Sequence, residues 1–302
     1  MKLSVFLIFI LSLSLKSSHE NCSTTYPIVL SHGLFGFGGD IGSMSYWGDI
    51  PQNLEACGAK VYIAHVSQAN STHERGEQLY QQLLMWGHEK YNLIGHSHGG
   101  LDARYVLENY PDSVASVTTI GSPHRGSKVA DVIYEKLSEN PIGAYIATAF
   151  ANIFGFSIGA LSGYFGWQNA WMALESLTTS ALRDFNQRYP HGLSSNWCQE
   201  GPHYYHDKRL YSWGSFGSSP TSLSDWFGYL LEKTSQAFDS HEKNDGLVSL
   251  CSMKFGKWLG ALPNAHHLIP VGGVVSPLSH DLELTTTTIF LDHALRLKHA
   301  RL

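Results

Sequence analysis

The stretch Gly95-His96-Ser97-His98-Gly99 has the residue types and the spacing of a serine nucleophile. A short apolar run, residues 91–94, precedes it, and apolar residues with helical spacing follow it. A serine between a strand and a helix can occupy a sharp, strained turn, because the flanking glycines let both elements pass without Cβ clashes. The pattern therefore predicts a nucleophile elbow that lifts the Ser97 hydroxyl out of a sheet.

Two kinds of pattern alternate around this motif. Apolar runs rich in β-branched residues are typical of buried strands, and apolar residues at helical spacing are typical of helices. The alternation predicts an α/β fold, with a mostly parallel sheet, helices on both faces, and the active site at the carboxyl ends of the strands. The predicted strands are 26–31, 61–66, 91–95 and 115–120, and the predicted helices are 74–86 and 99–109.

Length and charge narrow the functional classes. The chain has 302 residues, 43% of them hydrophobic, and no linker divides it, so we expect one domain over residues 19–302. The net charge of −5 is spread without a basic stripe, which argues against a nucleic-acid partner. No phosphate-binding loop occurs, and the 17 histidines lack zinc-ligand spacing.

The N-terminus has the pattern of a secretory signal peptide. Met1-Lys2 is positively charged, residues 3–15 are apolar apart from serines, and Lys16-Ser17-Ser18 is polar. We predict a signal peptide over residues 1–18, with cleavage between about residues 14 and 20. The alternative is a retained anchor, but the apolar run is short for a membrane span. The predicted location is therefore secreted or periplasmic.

Export gives the cysteine count a meaning. Four cysteines in an oxidising compartment allow three pairings. Cys22 and Cys57 each lie a few residues before a predicted strand, and these strands would be parallel neighbours. This adjacency favours a Cys22–Cys57 disulfide and, with it, Cys198–Cys251.

A serine hydrolase of this fold needs an acid and then a histidine after the nucleophile. Asn244-Asp245-Gly246 is a tight-turn signature that can place a carboxylate on a loop. His266-His267 follows the loop-like Pro263-Asn264-Ala265, and these residues alone leave the choice between the two histidines open. The other candidates are Asp225, Asp239, Asp281, Asp292, His280, His293 and His299.

The segment His32-Gly33-Leu34-Phe35-Gly36 follows the first predicted strand at the active-site end of the sheet. A turn there can present the backbone N–H of Leu34, and the N–H of His98 follows the nucleophile. Two such donors aimed at one point form an oxyanion hole.

These motifs resemble those of the bacterial true lipases of family I, the Pseudomonas and Burkholderia type. The resemblance implies an α/β-hydrolase fold with Ser97 as nucleophile, Asp245 as acid and His267 as base. It also implies an oxyanion hole from the Leu34 and His98 amides. The matching blocks are 26–30, 32–37, 66–68, 75–79, 92–100, 121–127, 174–177, 211–213 and 244–248.

The resemblance also bears on features outside the catalytic residues. It implies a disulfide between Cys198 and Cys251, whereas Cys22 and Cys57 are not part of the family pattern. Some relatives fold only with a dedicated membrane-bound chaperone, and this sequence decides neither that requirement nor an oligomeric state.

The family carries a structural calcium ion near the catalytic histidine. Asp225 matches the first acidic ligand, but Ile269 stands where the second is expected. Because calcium requires oxygen ligands, we expect no calcium here, with Asp225 the one matching metal ligand. Asp281 or Glu283 could approach from nearby.

Residues 140–174 contain no charged side chain and no histidine. Pro141 and several glycines interrupt this apolar stretch, which argues against a membrane span. A buried core helix is one interpretation. The resemblance makes the stretch part of a helical lid, over about residues 128–180, that opens at a lipid–water interface.

The function implied is an exported serine lipase that hydrolyses long-chain acylglycerol esters through an acyl-enzyme, without a cofactor. The alternative is a carboxylesterase, phospholipase or acyltransferase with the same triad. A non-catalytic lipid-binding relative is the third interpretation.

Overall fold

The computed structural model describes residues 21–39, 45–140, 159–161, 164–222, 225–272 and 280–302. The predicted signal peptide and the greater part of the predicted charge-free lid stretch lie outside these residues. Among the described residues, no helix is long and apolar enough to cross a membrane.

The described strands form one seven-stranded sheet in which all pairings are parallel except that of the short β5 with β6. The order is β2-β1-β3-β4-β6, and both β5 and β7 pair with β6. The strands are β1 Ile28–Ser31, β2 Val61–Ile63, β3 Tyr91–His96, β4 Val114–Ile120, β5 Tyr204–Tyr205, β6 Lys208–Phe216 and β7 Lys257–Pro263.

Helices cover both faces of the sheet. The core on one face contains Leu54 and Phe290, and the core on the other contains Leu79 and Val106. This arrangement confirms the predicted α/β fold class. The helices are α1 Ile50–Ala56, α2 Thr72–Trp86, α3 His98–Asn109, α4 Lys128–Glu139, α5 Ala170–Glu175, α6 Thr179–Arg188, α7 Trp226–Thr234 and α8 His280–His299.

The predicted strand 61–66 is longer than the observed β2, which ends at Ile63. β2 is an edge strand, and glutamine side chains of α2 take over the backbone bonding beyond it. Gln82 accepts from the His65 N–H at 2.8 Å and donates to its carbonyl at 3.0 Å. The predicted strand is too long because the apolar sequence pattern extends beyond Ile63, the last residue of β2.

Two disulfides join Cys22 to Cys57 and Cys198 to Cys251. Cys22 precedes β1 and Cys57 precedes β2, and these two strands are parallel neighbours. The second bond connects the segment before β5 to the loop that contains Asp245. Both pairs are those that the sequence favours.

We expect peptide mapping under non-reducing conditions to recover these two pairs. The Cys198–Cys251 bond spans 53 residues. Replacing both cysteines with alanine should therefore lower the free energy of unfolding by about 4 kcal/mol, since the cross-link limits the unfolded chain. Denaturant titration measures the loss. Recovery of a crossed pair, such as Cys22–Cys198, would contradict the assignment.

Candidate active site

Ser97 occupies a strained turn between β3 and α3. Its φ of 54° and ψ of −121° lie in a region that residues with a Cβ rarely adopt. A Cβ atom at Gly95 would collide with the Gly99 carbonyl, and one at Gly99 would collide with the carbonyl of Ser31. The glycine spacing of the motif is thus required by the close passage of α3 over β3 and β1.

Asp245 and His267 form a buried hydrogen-bonded pair, with 2.6 Å between Asp245 Oδ2 and His267 Nδ1. The other carboxylate oxygen accepts from the N–H groups of Leu247 at 3.0 Å and Val248 at 2.8 Å. The His267 N–H also donates to the Asp245 carbonyl at 3.0 Å. These bonds fix the imidazole with Nδ1 as donor, so that Nε2 is left as the acceptor.

The end of β4 connects this pair to the serine. The Ser97 N–H donates to the Ile120 carbonyl at 2.8 Å. A Cβ atom at the next residue, Gly121, would lie 3.5 Å from both Asp245 Oδ2 and His267 Cε1. His267 Nε2 is buried and has no hydrogen-bond partner among the described residues. A buried acceptor without a partner beside a strained serine can take the serine proton.

The loop after β1 lies against the serine. A Cβ atom at Gly33 would lie 2.8 Å from the Ser97 Cβ. The Leu34 N–H comes next in this loop, and the His98 N–H is at the first residue of α3. Neither N–H donates to an acceptor in the part of the chain that the structure describes. Both are therefore available to an oxyanion.

A chain of buried hydrogen bonds connects the loop after β1, the end of β3 and the loop that contains His267. The Gly33 N–H donates to the Tyr46 hydroxyl at 3.0 Å, and this hydroxyl donates to His96 Nδ1 at 2.6 Å. His96 Nε2 donates to the His267 carbonyl at 3.0 Å. Burial lowers the pKa of His96 well below its usual value, which keeps the ring neutral and this direction of donation intact. Sequence reasoning missed Tyr46, which no motif singles out.

A second buried network, centred on Arg75, holds the loop after β1. Arg75 donates to the His32 carbonyl at 2.6 Å and to the Ser67 carbonyl. Its guanidinium also pairs with Asp102, with 2.7 Å between Nη2 and Oδ2. Burial raises the pKa of Asp102 to about 6, although Arg75 opposes that rise. Because both groups are fully buried, the pair fixes the loop in one geometry.

Asp225, the candidate metal ligand, is buried with its oxygens engaged by protein donors. Oδ1 accepts from the Gly228 N–H at 2.8 Å, and Oδ2 accepts from Thr221 and, at 3.1 Å, from His266 Nε2. Ile269 is buried and offers no oxygen in its side chain. N–H and O–H groups directed at a carboxylate leave poor access to a cation. These residues do not fit the calcium ion that the resemblance implies.

Other candidates from the sequence lie elsewhere. Asp239 pairs with Lys128 on the surface, and His293 is buried against Thr118. Asp281 and Glu283 are exposed in the first turn of α8. Across the described ranges, no group of three or more His, Cys, Asp or Glu side chains is arranged to hold a metal.

Comparison with known proteins agrees with the α/β fold. The family model for the alpha/beta hydrolase fold matches residues 26–221. The chain is 40% identical to a triacylglycerol lipase of Vibrio cholerae, over 92% of this chain and 89% of that protein. It is 35% identical to a triacylglycerol lipase of Pseudomonas fragi, over 94% of this chain and 99% of that protein.

The chain belongs to the α/β-hydrolase family of these triacylglycerol lipases. A third relative is a triacylglycerol lipase of Burkholderia plantarii, at 34% identity over 91% of this chain and 87% of that protein. Membership of the family places the chain in the class of carboxylic ester hydrolases. The crystal structure of Staphylococcus hyicus lipase superposes with a TM-score of 0.65, over 93% of this chain and 98% of that one. At 20% identity, this last likeness concerns the fold alone.

We expect Tyr46→Phe to lower kcat about tenfold with little change in KM. The substitution removes both hydrogen bonds of the hydroxyl that joins Gly33 to His96. A net loss of roughly 1.4 kcal/mol of support for the transition state corresponds to that factor. Tyr62→Phe is the matched control, because the Tyr62 hydroxyl bonds His88 away from the site. Steady-state kinetics on a soluble ester test this prediction. Wild-type kinetics from Tyr46→Phe would show that the chain does not support the site.

Proposed function

We propose that this chain is an exported serine lipase that hydrolyses long-chain acylglycerol esters at a lipid–water interface. The observation that carries the proposal is the buried Asp245–His267 pair, whose remaining imidazole nitrogen has no partner among the described residues. It lies beside a serine held in an elbow. This combination is the arrangement that a nucleophilic acyl transfer needs.

In the proposed mechanism, His267 Nε2 takes the proton from Ser97 as the serine oxygen attacks the ester carbonyl carbon. The Leu34 and His98 amides bind the oxyanion of the tetrahedral intermediate. The intermediate collapses by breaking the bond to the alcohol, which leaves with the proton from His267. Water then repeats these steps on the acyl-enzyme and releases the fatty acid. No step uses a metal ion or an organic cofactor.

The substrate class rests on the relatives, whose names identify them as triacylglycerol lipases. A carboxylesterase, a phospholipase or an acyltransferase would use the same three side chains. Emulsified triolein, a phospholipid and p-nitrophenyl esters of increasing chain length separate these activities. Hydrolysis of triolein with a preference for long chains supports the proposal, and activity confined to short soluble esters contradicts it.

Export is supported by the two disulfides, which persist in oxidising compartments, and by the N-terminal sequence pattern. N-terminal sequencing of the protein recovered from the medium or the periplasm tests it. A mature chain that begins between about residues 15 and 21 is expected from the signal-peptide pattern. An intact N-terminus at Met1 would contradict this part of the proposal.

The lid proposal concerns residues 128–180, and its strongest support comes from their described C-terminal part. Phe165 and Trp167 are 72% and 91% exposed. The backbone there is nonetheless fixed, because the Trp167 carbonyl accepts from Ser67 Oγ at 3.1 Å and Gln168 Oε1 accepts from the Ala69 N–H at 2.7 Å. Exposed aromatic rings on a fixed backbone are suited to contact with lipid.

Ser97→Ala and His267→Ala should each reduce kcat by at least about 10⁴-fold, because the members of a triad act as a unit. His299→Ala is the matched control, since His299 is an exposed histidine on α8. Rates on a soluble p-nitrophenyl ester and melting temperatures of all three variants should be compared. A folded Ser97→Ala variant that retains activity would exclude Ser97 as the nucleophile.

Charged substitutions at Phe150 or Ile153 in the predicted lid should weaken activity on emulsions more than on soluble esters. We also expect wild-type activity to rise steeply when a short-chain triglyceride passes its solubility limit, because an apolar lid face is then no longer exposed to water. Met85→Asp is the control, since Met85 is 75% exposed on α2. Ordinary saturation through the limit, with equal losses on both substrates, would favour a buried core helix instead.

A further inference from the structure

The side chain of His266, the neighbour of the proposed base, bonds the backbone on the far side of His267. Its Nδ1 accepts from the Leu268 N–H at 3.3 Å, and its Nε2 bonds Asp225 Oδ2 at 3.1 Å. A backbone N–H can only donate, so Nδ1 carries no proton and Nε2 must be the donor to the carboxylate. The ring is therefore a neutral imidazole with both nitrogens engaged, and it is fully buried.

Asp225 is itself fixed at the start of α7. Its side chain caps that helix through the Gly228 N–H at 2.8 Å and accepts from the Thr221 N–H at 2.8 Å. An anchored carboxylate gives the His266 ring one position. That position in turn fixes the backbone on both sides of His267.

The same helix also contacts the acid loop. Thr234, the last residue of α7, donates from Oγ1 to the Gly246 carbonyl at 2.6 Å. A Cβ atom at Gly246 would lie 2.7 Å from the Leu231 Cβ. The N-terminus of α7 therefore holds the loop of the base, and its C-terminal turn holds the loop of the acid. One rigid element sets the geometry between Asp245 and His267.

We propose that His266, bound to Asp225, is a positioning residue for the base His267, and that this hydrogen-bonded pair replaces the calcium ion implied by the family resemblance. The proposal rests on the proposed role of His267. The bond between His266 and Asp225 accounts for two observations. It forms the second Asp–His pair, and it engages the carboxylate that matches the first calcium ligand of the family. A histidine donor occupies the carboxylate that a cation would need, and the buried Ile269, at the position of the second acidic ligand, brings no oxygen in its side chain.

The test compares His266→Ala with His266→Gln and with His293→Ala. His293 is a matched control because it is also a fully buried histidine with two partners, Thr118 at 2.8 Å and Arg296 at 3.0 Å, and it lies outside the site. Glutamine carries a donor and an acceptor and should partly replace the imidazole. Each variant is measured for kcat, KM, melting temperature and the far-downfield proton NMR signal of His267 Nδ1–H.

We expect His266→Ala to lower kcat about 10- to 100-fold with little change in KM, since a misplaced base slows proton transfer. The His267 signal should broaden or disappear, and His266→Gln should recover part of both. His293→Ala should lower the melting temperature but keep kcat and the signal. If His266→Ala lowers only the melting temperature, as His293→Ala does, the positioning role is wrong.

Calcium chloride and EDTA provide the second arm. Neither should change the melting temperature of the wild type, and calcium should not restore kcat or the His267 signal to His266→Ala. A calcium-dependent rise in the wild-type melting temperature would overturn the replacement of the ion. The NMR and melting measurements need no substrate, so an inactive wild type with the expected signals would contradict only the proposed function.

Discussion

The conformation of Ser97 is the constraint on which the site depends. The combination of a φ of 54° with a ψ of −121° is rare for a residue with a Cβ, and it persists where the surrounding structure fixes the backbone. Here α3 passes so close to β3 and β1 that glycine is required at 95 and 99, and the Ser97 N–H is bound to the end of β4. The central strands and α3 thus hold the hydroxyl at the carboxyl edge of the sheet, where the other functional loops converge.

Those loops have little regular structure of their own. Buried polar networks, rather than strand pairing, fix their positions. The pair of Arg75 and Asp102 fixes the loop after β1. Tyr46 and His96 connect the same loop to the carbonyl of His267. Such networks are demanding, because each unpaired member would carry a desolvation penalty. In return they give loops the rigidity that an oxyanion site and a proton acceptor require.

The sequence predicts the part of this architecture that is local. The elbow, its flanking strand and helix, and the turn at Asp245 all follow from short patterns, and the parallel entry of β1 and β2 favours the Cys22–Cys57 pair. The choice between His266 and His267 is not local, because it depends on which carboxylate each ring meets. Asp245 lies 22 positions from His267, and Asp225 lies 41 from His266. Tyr46 is 50 positions from His96, so no spacing rule could identify it.

The central claim is that Ser97 is activated by His267 at this edge of the sheet. Labelling with a p-nitrophenyl alkylphosphonate, followed by peptide mass spectrometry, tests it most directly, because the reagent forms a stable adduct only with an activated nucleophile. The account predicts one adduct per chain, on Ser97, with labelling at least about a hundredfold slower in His267→Ala. An adduct on a different residue, or labelling at the wild-type rate without His267, would contradict it.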